Sequence, residues 1–324
     1  MIMAIETQFY FAHEIHPDSA PTTDLLGLLR GLVGTRPSSK PQRKWRGKGF
    51  NMIWRPNFGG ESGPQDFFLE LNFTDETLEF TDISGSGIAN RGFLQKDITL
   101  GGAAYLQQIN DAFDNTGQHF EPGVWANVPL TTNPNEPQTI VRMGSIPHGT
   151  TINLQGHAFS VPQPQFTPAS IIPFQIGNPG QPHDFPDRTL TNPSQSRTPL
   201  NRVAALTQTH LDNPNLFLSD AIAHQTILQT TVLTVSSDTS APGSIPDAGG
   251  GDESIAFLSG TGVPPAGGPN AVAAFSSATF WIERVKGEHG HPDFDQLQYT
   301  QLVLLNFHGL SWPHITVATL RDGD

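Results

Sequence analysis

Phe67-Phe68-Leu69-Glu70-Leu71-Asn72-Phe73 alternates: its odd positions are apolar and its even ones turn polar after Phe68. That period of two is the mark of a short, half-buried strand. Similar stretches flank it at Trp45–Trp54, Thr77–Ile83, Thr139–Gly144, Thr150–Ala158, Thr226–Ser236, Ala278–Val285, Leu297–Phe307 and His314–Leu320. Turn residues punctuate them, among them Ser84-Gly85-Ser86-Gly87, Asn115-Thr116-Gly117 and Gly287-Glu288-His289-Gly290. Many short strands separated by turns predict an all-β barrel or sandwich.

Helical patterns are few. Thr23–Val33 is the best, with Thr23 as N-cap and Leu25, Leu26, Leu28, Leu29 and Leu32 behind it. Arg202–Leu206 and Leu216–Ala223 read as single turns or short helices. Two stretches, near 160–200 and 237–270, are crowded with Pro, Gly and short polar residues and are too long for ordinary connections. The first carries enough apolar surface, including Phe166, Ile171 and Phe174, to lie packed on the barrel or across its mouth. The second, around Gly249-Gly250-Gly251, fits either such an elaboration or a disordered linker. The domain reading is an N-terminal arm and short helix over 1–44 and one barrel domain over 45–324, interrupted by these insertions.

Composition narrows function. There is no Cys, which excludes disulfides, zinc ribbons, Cys nucleophiles and thiolate-ligated haem. Lys+Arg 17 against Asp+Glu 30 gives a net charge of −13, so nucleic acid is not an expected partner. The one basic run, Arg43, Lys44, Arg46 and Lys48, reads as a solvated strand edge. No apolar run approaches a membrane span, and Met1–His16 lacks a signal-peptide pattern, so a cytoplasmic protein with no membrane partner is expected. Nucleophile elbows, Walker loops and dinucleotide fingerprints are absent. His13-Glu14-Ile15-His16 is one residue short of a metalloprotease motif and reads as coincidence.

Three segments put an imidazole beside apolar residues at a strand end: Gly117–Trp125 with His119 and Glu121, Arg142–Thr150 with His148, and Trp312–Arg321 with His314. Together they predict a polar-lined cavity within apolar walls. Phe280, Trp281, Tyr299, Phe307 and Trp312 read as core or, alternatively, as the lining of a pocket shared with Trp45 and Trp54.

These residues resemble the nitrobindin-type haem proteins, small calycin-like barrels. Trp45-Arg46-Gly47-Lys48-Gly49 is similar to the family's W-R-G-x-G opening. Phe67–Glu70, Leu78-Glu79-Phe80, Tyr105-Leu106-Gln107 and His119-Phe120-Glu121-Pro122-Gly123-Val124-Trp125 resemble its later strands in order. Pro147-His148-Gly149, Leu297-Gln298-Tyr299 and the run from Pro313-His314 to Arg321 complete the likeness. The resemblance implies a calycin-like antiparallel β-barrel of about ten strands with haem b in its mouth, and a closing-strand histidine, His314, as iron ligand. His119, His148, Glu121, Trp45, Tyr105 and Arg142 are the further candidate binding residues, and NO binding or peroxynitrite isomerisation is the implied chemistry. One spacing departs: the family has three residues from ligand to Ala, whereas His314 to Ala318 is four. With Ala318 in the family's register, Ile315 takes the ligand position and His314 faces out, unless a bulge near Pro313 turns it back.

Two other readings stand beside haem. The barrel could carry a hydrophobic small molecule without haem, oriented by Glu121, Arg142, Gln107 and Tyr105. Or it could act as a cofactor-free enzyme, with His119 and Glu121, two apart and so on one strand face, as an acid–base pair.

Overall fold

The computed structural model describes residues 24–34, 42–83, 87–238, 251–260 and 269–322. The expected Thr23 cap, the His13–His16 pair and most of the glycine-rich part of the second insertion lie outside the described residues.

Ten strands follow one another: β1 (Gln42–Pro56), β2 (Phe67–Asp82), β3 (Ile98–Asp111), β4 (Gly117–Val128), β5 (Thr139–Ile146), β6 (Thr150–Val161), β7 (Ile227–Ser236), β8 (Val272–Val285), β9 (Phe294–Phe307) and β10 (Leu310–Asp322). Each pairs antiparallel with the next, and β10 returns to pair with β1 from Trp45↔Asp322 to Ile53↔His314. The result is a closed up-and-down barrel, which leaves no long unpaired edge in its wall. The two alternating stretches Phe67–Phe73 and Thr77–Ile83 prove to be parts of the single strand β2.

The two ends of the barrel differ. At one end Trp45, Leu78, Phe80, Trp125, Ile140, Leu154, Phe280 and Leu320 fill the interior. A short helix, α1 (Leu25–Arg30), and the turn after it plug this end, adding Leu25 and Leu29 from the helix and Leu32 and Val33 from the turn to the same core. Asp24 caps α1, its Oδ1 accepting from the Gly27 N–H at 2.8 Å. Trp45 ties plug to wall by donating its indole N–H to the Leu32 carbonyl at 2.9 Å.

The other end reverses the usual assignment of faces. There Phe50, Met52, Trp54, Phe67, Leu69 and Leu71 point outward, yet are buried. Their cover is the connection between β6 and β7, residues 162–226, which lies on the outer wall and carries two short helices, α2 (Gln208–Asp212) and α3 (Leu216–Ile222). Burying a large apolar side chain contributes roughly 1.5–3 kcal/mol, so an outward apolar stripe of this size demands a cover. The segment also supplies hydrogen bonds. β2 pairs with β3 only from Thr74 to Asp82, and the free edge before it is taken by Ser196–Thr198: Leu69 N–H donates to the Ser196 carbonyl at 2.9 Å and Thr198 N–H to the Leu69 carbonyl at 3.0 Å. The first insertion is therefore packed on the barrel's outside, not across its mouth. In the second, Gly251–Ser254 adds to β6 at the mouth, and Ala256–Ser259 forms a helical turn beside it.

The closing strand is regular. The β10 pairings with β9 and β1 carry no bulge. Ile315 and Val317 belong to the outer core, and His314 and Thr316 line the interior, with Ala318 and Leu320 in the inner core. The expectation that His314 needs a bulge to face inward is corrected: Ala318 itself points inward, and a residue four positions away on a flat strand shares its face.

Candidate functional site

The open half of the barrel encloses a cavity of about 320 Å³. Ile53, Ile109, Ile146, Val303 and Leu305 give it apolar walls, and Leu258 reaches it from the 251–260 segment at the mouth. Inward positions of several strands supply the polar lining: Asn51, Glu70, Gln107, Gln118, Tyr299, Gln301 and Thr316. All three histidines singled out by the sequence, His119, His148 and His314, line this one space.

Each imidazole is fixed by its Nε2. His314 Nε2 lies 2.7 Å from Asn51 Oδ1, which also accepts from the Thr316 hydroxyl at 3.0 Å. His148 Nε2 is 3.2 Å from the Gln118 carbonyl oxygen, and His119 Nε2 is 3.0 Å from Glu121 Oε2. The partners are acceptors, so each Nε2 carries a hydrogen; in His314, whose ring is neutral, Nδ1 then carries the lone pair. The rings of His119 and His148 stand side by side, centroids 5.8 Å apart. Burial, then the nearby charges of His119 and His148, push the His314 imidazole down to about 3, so it is neutral at physiological pH. Burial, then His119, lowers His148 as well.

A polar layer forms the cavity floor. Glu121, Tyr105 and Arg142 are buried there together. Arg142 Nη2 donates to Glu121 Oε1 at 2.7 Å, Nε to the Tyr105 hydroxyl at 3.1 Å and Nη1 to Gln301 Oε1 at 2.7 Å. Tyr105 also donates to Glu121. Burial alone would raise Glu121, but Arg142 and the bonds from His119 and Tyr105 outweigh it and hold the carboxyl at about 2. Gly144 makes this packing possible: a Cβ there would sit 2.6 Å from both Glu121 Oε1 and the Tyr105 hydroxyl.

Alongside runs a second chain that the sequence reading did not assemble. Gln107 Nε2 donates to the Tyr299 hydroxyl at 2.9 Å, and Tyr299 donates to Glu76 Oε2 at 2.5 Å. Burial raises Glu76 to about 7 despite bonds from Tyr299 and Thr74. Gly49 of the opening motif leaves the room, since a Cβ there would stand 2.5 Å from Glu76 Oε1. That glycine was the available signal for a crowded carboxylate on the neighbouring strand.

Thus His314, His119 and His148 meet in the cavity, and Glu121, Tyr105 and Arg142 lie directly beneath. Trp45 is not brought to this site and belongs to the plugged end. The basic run is engaged elsewhere: Arg43 bonds Asp295 at 2.7 Å, Lys48 bonds Asp75 at 2.7 Å, and Lys44 pairs with Glu79. Among the described residues no three His, Asp or Glu side chains form a metal-binding group, and no helix is long and apolar enough to cross a membrane.

No protein-family model matches the chain, and no curated protein sequence does. Among solved structures, the crystal structure of Rv2717c from M. tuberculosis aligns over 94% of this chain and 100% of its own, at 11% identity and a TM-score of 0.37. That likeness is too loose to bear on function.

Proposed function

We propose that the barrel is a nitrobindin-like haem-binding protein, holding haem b in its open half with His314 as the iron ligand. The observation that carries this reading is the state of His314: an inward, neutral imidazole whose Nε2–H is committed to Asn51, leaving Nδ1 free to bind a metal. A histidine that ligates a metal characteristically gives its other N–H to such a partner. The apolar walls suit the faces of a macrocycle. Haem, when bound, supplies the iron at which NO binding or peroxynitrite isomerisation occurs. The chain's own residues orient the ligand imidazole, exclude water with Ile53, Val303 and Leu305, and present His119 and His148 to whatever enters beside the iron.

A second reading, a haem-free carrier of a hydrophobic small molecule, is favoured by size and charge. The cavity is at the lower end of the range for small-molecule sites, about 300–1,000 Å³. Its cations are neutralised in place, Arg142 by Glu121 and Arg55 by Glu70 at 2.7 Å.

Hemin titration followed by absorption separates the readings. A saturable one-to-one Soret shift that disappears in His314→Ala alone is the expected result. Loss only in His119→Ala or His148→Ala would keep haem and reassign the ligand. No saturable binding by the wild type would end the haem reading, and extraction of a copurifying apolar molecule would then test the carrier.

A further inference from the structure

A buried ion pair is in general weak evidence for a stabilising role. Burying a carboxylate and a guanidinium carries a large desolvation cost, and well-packed apolar residues often serve stability as well or better. Yet Glu121 and Arg142 are both buried at the cavity floor, each held by further bonds. Perturbed, paired groups in a cleft mark functional sites. Here their geometry converges on one side chain. Glu121 gives Oε1 to Tyr105 and Arg142 and keeps Oε2 for His119, at 3.0 Å. An ionised carboxylate can only accept, so it holds a hydrogen on His119 Nε2 and leaves Nδ1 as the nitrogen that takes up and gives back a proton. The ring forms part of the cavity wall.

We propose that this is a proton-transfer site: His119 acts as general base on a compact, mostly apolar carbon acid bound in the cavity. Glu121, Arg142 and Tyr105 are positioning residues that hold the imidazole and stabilise its protonated form. The substrate class follows from the enclosure, which has apolar walls, neutral amides from Gln107 and Gln301, and about 320 Å³ of space. This activity does not depend on haem.

The test uses 5-nitrobenzisoxazole as probe, with haem-free protein. The base takes the proton from the ring carbon, the C–H electron pair completes a C≡N bond, and the N–O bond breaks to release 2-cyano-4-nitrophenolate, read by its absorbance. The imidazolium then returns its proton to water. Saturable turnover is expected, falling by at least about 100-fold in His119→Ala, in line with the usual contribution of a positioned base. His289→Ala, at a surface turn, should match the wild type. His119→Gln, which fills similar space without a basic nitrogen, repeats the test if the alanine variant unfolds. Tyr105→Phe should lower kcat and shift the pH profile with KM little changed. Turnover that is linear in probe and equal to free imidazole, or unchanged in both His119 variants, would overturn the proposal. Hemin affinity should follow His314 and elimination His119, so either reading can fail alone.

Discussion

Glu283→Gln should stabilise the protein above neutral pH and leave it unchanged near pH 4, below the carboxyl's unfolded value. Glu283 lies on β8, fully buried. Its Oε2 accepts from Gln296 Nε2 at 2.8 Å, but Oε1 has no partner, and neither do the buried oxygens Gln225 Oε1 and Thr230 Oγ1. Thr230 stands opposite Glu283 in the β7–β8 pairing, and Gln225 bonds Gln296 at 3.1 Å. Two pure acceptors, Glu283 Oε1 and Gln225 Oε1, are therefore left without a donor. Burial outweighs the Gln296 bond and raises the carboxyl from 4.5 to about 7. A group raised in the folded state contributes stability that is fully present below its unfolded value and lost as pH rises through the folded one. At about 1.4 kcal/mol per unit, the loss is about 3 kcal/mol by pH 8 or so. Glutamine keeps the acceptor for Gln296, cannot ionise, and brings an N–H for the unpartnered oxygens. Urea unfolding followed by tryptophan fluorescence near pH 4 and near pH 8.5 reads the effect. The variant's midpoint should exceed the wild type's only at the higher pH, with unchanged m. Equal midpoints near pH 8.5, or an advantage undiminished near pH 4, would refute the assignment of a buried, proton-holding carboxyl.

Arg142→Leu leaves Glu121 buried without its cation and should cost about 3–5 kcal/mol in urea unfolding. Wild-type stability from Glu121, present above 4.5 and lost as pH falls through about 2, should shrink in the same variant, visible as a flatter acid limb. Asn51→Ala removes the acceptor of the His314 N–H; hemin affinity should fall by about 10–100-fold in titration, as for other partners of metal-binding histidines. Arg197→Ala strips the carbonyls of Asp187, Thr189 and Asn192 of a buried donor. At about 1–3 kcal/mol per unsatisfied group, the 184–198 segment should become the first site of limited proteolysis.

The strands were legible because their alternation is local. Residues 67–73 and 314–320 can be read as strands without knowledge of any neighbour. The first insertion was legible as packed, since Phe166, Ile171 and Phe174 need burial, but its place on the outer wall was not. That place depends on Phe50, Met52 and Trp54 facing outward, and alternation gives two faces without naming the inside. β3 had no clear alternation of its own, since Gly101, Gly102, Ala103 and Ala104 interrupt it, and only the likeness around Tyr105 marked it. The α1 plug was visible as a leucine pattern, while its role in closing a barrel end required the barrel.

The site shows the same division between local and distant information. His119 and Glu121 share a face by their spacing of two, and their bond is the one contact that the sequence could give. Arg142, Gln301 and Tyr299 join them across the barrel, through pairings set by strand order. The inversion of faces at the open end explains why such a site exists there at all. Because the apolar side chains of β1 and β2 turn outward and are covered by the insertion, the inward positions are released from filling a core. Asn51 and Glu70 can then be polar, and the space they leave becomes the cavity. On this argument the insertion is a condition of the site: a variant that loses its cover should lose the cavity's shape along with the outer core, even though no residue of 162–226 lines the cavity.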